Sequence, residues 1–111
     1  AVAPAQRQNV AALQPEPTAA KLQLSPGAPN PFNSSTQIAY VLAAAGPVEL
    51  GVYNVLGQQI CLLVAQPLES GRHQVVWDGR DGEGREAASG IYLVVLRTGG
   101  QQVAQKMLLL R

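Results

Sequence analysis

From Ser35 to Arg111 the chain runs in short apolar stretches, each stopped by a cluster of Gly, Pro, Asn, Asp or Ser. Period-two alternation sends successive side chains to opposite faces, as a half-buried strand requires and a helix forbids. "STQIAYVL" puts Ile38, Tyr40 and Leu42 on one face. "VELGVYN" puts Val48, Leu50 and Val52 on one face, with Glu49, Gly51 and Tyr53 on the other. "VLGQQ" bends the chain at Gly57, "ICLLVA" reads as a short apolar strand, and "PLESG" as a turn. "RHQVVW" aligns His73, Val75 and Trp77. "IYLVVLR" is apolar on both faces, as expected of a central strand, and "TGG" is a tight hairpin turn because glycine accepts positive φ. The last run, "QQVAQKMLLLR", sets Val103, Met107 and Leu109 against Lys106.

With a short alternating start at "KLQL", these make seven strands at roughly ten-residue spacing, the mark of an all-β antiparallel sandwich. Pro26, Pro29 and Pro31 forbid a helix between the first two strands and remove ladder donors. Trp77, Tyr40, Val52, Val75, Val94 and Met107 are expected to share one core.

The division expected is a tail over residues 1–20 and one domain over 21–111. The tail is rich in Ala, Gln and Pro, lacks a period and ends in a "PEP" break. A chain of 111 residues supports one small domain with a modest core. One Trp, one Phe and three Tyr leave Val, Leu and Ala to fill it. A net charge of +1 without a basic stripe argues against nucleic acid as a partner. No apolar run reaches the ~20 residues of a membrane span, and no charged start leads into an apolar signal segment. A lone Cys61 rules out an internal disulfide.

The stretch "WDGRDGEGREAASG" from Trp77 to Gly90 concentrates acids, arginines and glycines. Asp78, Asp81 and Glu83 are oxygen ligands of the kind calcium takes, but Arg80 and Gly82 break the alternate spacing and the arginines neutralise the loop. A carboxylate pair for glycoside hydrolysis would need a cleft that nothing in the sequence implies. As turn chemistry the stretch is simpler: Asp bonds its own backbone two residues on, and Gly permits the left-handed conformation. It reads as the corner between the fifth and sixth strands, without metal. His73 has no second His for a metal pair and reads as a packed, hydrogen-bonded side chain. Cys61, between Ile60 and Leu62, reads as a small buried hydrophobe rather than a nucleophile. Ser34, Ser35, Ser70 and Ser89 lie in turns, none in G-x-S-x-G. No enzyme, cofactor or small-molecule substrate is expected.

Five segments in order carry a family resemblance: "NPFN" at Asn30–Asn33, "VYNVLG" at Val52–Gly57, "GRHQVVWDG" at Gly71–Gly79, "SGIY" at Ser89–Tyr92, and the basic C-terminus "KMLLLR". Together, over about Leu22 to Arg111, they resemble the type A C-terminal sorting domain of type IX secretion cargo, and the Ig-like domain of the flagellar hook-capping protein is similar. The resemblance implies a seven-stranded immunoglobulin-like β-sandwich with an extended N-terminal tail. It also implies a non-catalytic address carried behind a secreted enzyme or adhesin and recognised by an outer-membrane translocon or surface-attachment machinery. Such a domain is commonly cleaved on arrival. The implied location is secreted, extracellular or on the surface of a Gram-negative-type bacterium. Recognition in that family concentrates in the last strand, which here gives Lys106, Met107, Leu108, Leu109, Leu110 and Arg111. No large catalytic region precedes the domain, so the chain is read either as an excised domain or as a product in its own right.

The alternative is a structural subunit of an extracellular filament or surface layer. An open sheet edge can accept an extended segment from a neighbouring copy. The tail has too little apolar surface to fold alone, and its residues Gln8, Asn9, Val10, Ala11, Ala12 and Leu13 are the candidate docking segment of a homo-polymer. A carbohydrate-binding module would need exposed aromatics, for which Tyr53 and Tyr92 are the plausible residues.

Overall fold

The computed structural model describes residues 22–111. Lys21, the tail and the docking segment Gln8–Leu13 lie outside the described residues. The described chain forms seven strands: β1 (Gln23–Leu24), β2 (Thr36–Leu42), β3 (Gly46–Asn54), β4 (Gln59–Leu68), β5 (Gly71–Trp77), β6 (Gly90–Thr98) and β7 (Gln101–Leu109). A three-stranded sheet, ordered β1-β2-β5, packs on a four-stranded sheet, ordered β4-β3-β6-β7. All ladders are antiparallel. This is the expected immunoglobulin-like sandwich.

The alternating runs place their apolar faces inward. In β2, Thr36, Ile38, Tyr40 and Leu42 are buried while Gln37 and Ala39 are exposed. In β3, Val48, Leu50 and Val52 line the core. Trp77, Tyr92, Val94, Leu96, Met107 and Leu109 complete it from the other strands, with Val75 packed against it and half-buried. The expected core therefore forms. β6 lies between β3 and β7, the central position its two apolar faces suggest. Its turn into β7 uses Gly99 and Gly100 at φ +57° and +78°, the pair of positive φ values that a two-residue hairpin needs.

Two expectations are corrected. β4 runs for ten residues rather than as the short strand "ICLLVA", and it absorbs Pro67 and Leu68 from the supposed turn. Register shifts opposite Leu50/Gly51 and Val52/Tyr53 insert bulges into β4, so its burial lacks the period of two that marks β2, β5 and β7. Tyr92 is not an exposed aromatic: it is 7% exposed and donates its hydroxyl to the Ala88 carbonyl at 2.6 Å. A tyrosine at the start of the sixth strand bonded back a few residues is the tyrosine corner of immunoglobulin-like sandwiches. Tyr53, the other aromatic considered, is half-buried, with Arg97 over its ring at 5.5 Å. Gly51, two residues before it on the same face of β3, sits in a tight neighbourhood. A Cβ there would stand 3.2 Å from both Tyr53 Cε1 and Gln59 Nε2.

Candidate functional site

The strand registers bring four of the five motifs, and the end of the fifth, to one end of the sandwich. Asn54 pairs with Tyr92, Gly90 with Leu109, and Thr36 with Trp77. Trp77 is the hub. Its indole is 1% exposed, meets Phe32 edge-on at 5.5 Å and Tyr92 at 5.2 Å, and donates Nε1–H to the Arg80 carbonyl at 2.9 Å. The aromatic geometry is the offset, edge-to-face arrangement that ring quadrupoles favour.

The "DGRDGEGRE" stretch is a folded corner whose carboxylates are used as turn acceptors. Asp78 Oδ1 accepts from the Arg80 amide at 3.1 Å. Asp81 Oδ1 accepts from the amides of Glu83 at 2.9 Å and Arg85 at 3.0 Å. Those bonds, chiefly the one from the Arg85 amide, hold the Asp81 carboxyl below its ordinary range. The Arg80 guanidinium donates to the Gly84 carbonyl at 2.9 Å, and the Gly82 amide ties the corner to β4 through the Ile60 carbonyl at 2.9 Å. Among the described residues no three His, Cys, Asp or Glu side chains gather as a metal site.

The corner also receives the chain's last residue. Arg111 donates Nε–H to the Ala87 carbonyl at 2.7 Å and an Nη2–H to the Gly79 carbonyl, and Nη1 lies 3.9 Å from Glu86 Oε2. Its amide donates to Ser89 Oγ at 2.9 Å. The fork geometry of guanidinium suits two carbonyls and a carboxylate at once, where a lysine would reach one.

The "NPFN" turn covers the outer edge of β7. Asn30 Nδ2 donates to the Lys106 carbonyl at 3.2 Å, and the Leu108 amide donates to Asn30 Oδ1 at 3.0 Å. The Phe32 amide donates to the Leu108 carbonyl at 3.0 Å, and the Leu110 amide to the Phe32 carbonyl at 2.8 Å. Both peptide bonds Ala28–Pro29 and Asn30–Pro31 are cis. The "VYNVLG" turn closes on its own asparagine: Asn54 Oδ1 accepts from the Leu56 and Gln58 amides, both at 3.0 Å. Val55 and Leu56 stand exposed at its tip.

Of the six candidate recognition residues, Met107 and Leu109 are wholly buried. Lys106, Leu108 and Leu110 lie on the outward row, with Lys106 exposed, Leu108 half-buried and Leu110 50% exposed. Sequence reasoning did not find the partners of Arg111 or of β7's edge, because they lie 22 to 78 positions away along the chain. His73 stacks on Tyr40 at 5.4 Å and bonds the Glu69 carbonyl at 2.8 Å. Cys61 is half-buried against the core rather than fully buried, and its partial burial pushes the thiol up to about 11, with Asp78 and Asp81 adding to the effect.

Fold and corner together define an immunoglobulin-like sandwich whose corner loop and C-terminal strand are built as one unit. The family model of the FlgD Ig-like domain matches residues 32–102, and the chain belongs to that family. The match ends just inside β7. No curated protein matches the chain. Among solved structures it is similar to PorZ, described as an essential bacterial surface component of the type-IX secretion system of Porphyromonas gingivalis. That likeness has 18% identity and a TM-score of 0.52, over 81% of this chain and 11% of PorZ. It is also similar to dimeric latent PorU from Porphyromonas gingivalis, with 22% identity and a TM-score of 0.54, over 79% of this chain and 9% of that one. The chain thus spans about a tenth of each of these proteins, and the likeness is one of fold.

Proposed function

We propose that the chain is a non-catalytic sorting or surface-anchoring module, recognised by the outer-membrane machinery of a type IX secretion system and working at the cell surface or outside it. The observation that carries this reading is the convergence of the motifs at one end of the sandwich, with the C-terminal strand locked among them by Asn30, Phe32 and the corner loop. The fold likeness to a surface component of that system supports the same reading.

The test is a reporter protein carrying the 111 residues at its C-terminus, expressed in a bacterium with an active type IX system and in a strain lacking it. Export or surface display only in the active strain is expected. Retention of the reporter inside both strains would overturn the reading. The filament alternative rests on residues outside the described ones, and deletion of residues 1–20 followed by electron microscopy is its separate test.

A further inference from the structure

The sorting reading, on which this inference rests, leaves open what a partner could touch. Three features restrict it. Met107 and Leu109 are wholly buried, so the inward row of the last strand is unreachable while the domain is folded. Both sides of this stretch are occupied, Lys106–Leu109 by β6 on one side and Lys106–Leu110 by Asn30 and Phe32 on the other. A partner strand could add there only by displacing the Asn30–Phe32 turn, so recognition by strand addition is closed off. Arg111 is held in the corner.

What remains is the outward row, and it does not stand alone. The register sets Lys106 beside Leu93 and Leu108 beside Ile91, on the same face of adjacent strands. Ile91 is 44% exposed, Leu93 36% and Leu110 50%, so three of the seven large exposed hydrophobics among the described residues fall on one strip. A cluster of this kind on a sheet face is a feature of interaction surfaces rather than of inert ones. Lys106 is the one charged residue on the strip. Further up the same face Arg97 is paired with Glu49 at 3.5 Å, whereas Lys106 has no carboxylate within 4.0 Å among the described residues.

We propose that the folded domain is read through the strip Ile91, Leu93, Lys106, Leu108 and Leu110, and that its partner is a protein surface presenting apolar side chains with a carboxylate opposite Lys106. Two of the five residues of this surface, Ile91 and Leu93, thus belong to β6, outside the C-terminal segment. An apolar centre beside one charge of fixed sign gives affinity through burial and register through the ion pair.

The experiment uses the same reporter with the full chain, in the active strain, with Leu93→Glu, Lys106→Glu and Lys106→Arg. The purified variants are checked by thermal melting. The unaltered chain and Lys106→Arg are expected to be exported alike. Leu93→Glu and Lys106→Glu are expected to fall by at least about tenfold while melting within a few degrees of the parent. Should Leu93→Glu fail to fold, Lys106→Glu on its outward side chain decides. The proposal is overturned if both glutamate variants are exported normally, or if a reporter ending in residues 101–111 alone is exported as well as the whole chain. It is also overturned if sedimentation shows a dimer that Leu93→Glu dissolves, since a second copy would then cover the strip. If the unaltered chain itself is not exported, the sorting reading fails first, and that outcome is distinct from loss confined to the glutamate variants.

Discussion

Arg111 Nε stands 2.7 Å from the carbonyl oxygen of Ala87, joining the last residue of the chain to a loop 24 positions earlier. The same guanidinium reaches the Gly79 carbonyl across the corner and approaches Glu86. One side chain therefore ties together the two ends of the loop that separates β5 from β6, and those strands belong to different sheets.

Truncating this side chain, Arg111→Ala, removes charged donors from two carbonyls and is expected to cost about 1.5–3 kcal/mol. Arg111→Lys should recover less than half of the loss, because an ammonium cannot span both carbonyls and the carboxylate. Urea unfolding measures this, with a lower midpoint at unchanged slope as the expected result. Equal midpoints for the parent and Arg111→Ala would mean that the corner is held without it.

Trp77→Ala is expected to cost about 3–5 kcal/mol, since it opens a cavity between Phe32 and Tyr92 in the core. Tyr92→Phe, which removes only the hydroxyl bonded to Ala88, should cost about 0.5–1.5 kcal/mol. A Trp77→Ala protein that melts with the parent would show that the ring cluster does not support the sandwich.

The strands that alternate were legible in the sequence because burial follows the period of two directly. Ile38, Tyr40 and Leu42, or Val48, Leu50 and Val52, could face only one way. β4 was not, since its two bulges reset the alternation and nothing in "QICLLVAQPL" announces them. Tyr92 was misread for a different reason. In "IYLVVL" both faces are apolar, so the pattern cannot say which is inward, and the hydroxyl's partner, a backbone carbonyl, has no sequence signature. The corner's turn chemistry could be read from Asp and Gly, because an Asp carboxylate caps amides two to four residues away. Its second role, as the receptor of Arg111, and the pairing of Asn30 and Phe32 with β7 depend on contacts that only the folded topology creates.

The Asp81 carboxyl is held below its ordinary range by amide donors, so its folded value lies below its unfolded one. Its contribution to stability is then fully present above the unfolded value and is lost as pH falls through the folded one. Asp81→Asn should therefore flatten the acid limb of a stability profile, with the difference from the parent largest near neutrality and vanishing at the acid end. Millimolar calcium should leave the melting temperature of the parent unchanged, because the Asp81 oxygens are already engaged by amides and by the Arg85 guanidinium at 3.4 Å. A calcium-dependent rise reversed by a chelator would contradict the turn-acceptor role of these carboxylates.

Cys61 offers a readout of the seal between β4 and the core. Its thiol is pushed up to about 11, first by burial and then by Asp78 and Asp81, so at pH 8 the folded chain holds less thiolate than the unfolded one. Only the thiolate attacks an alkylating reagent. Iodoacetamide at pH 8 should accordingly modify the folded protein at least about tenfold more slowly than the protein in denaturant. The sign of the linkage is opposite to that of Asp81: a raised thiol value gives a stabilisation present below the unfolded value and lost as pH rises toward the folded one. Because Gly82 bonds the Ile60 carbonyl next to Cys61, loosening the corner through Arg111→Ala should speed alkylation of the native protein. Alkylation that is fast in the folded parent, or unchanged by Arg111→Ala, would separate the thiol's burial from the integrity of the corner.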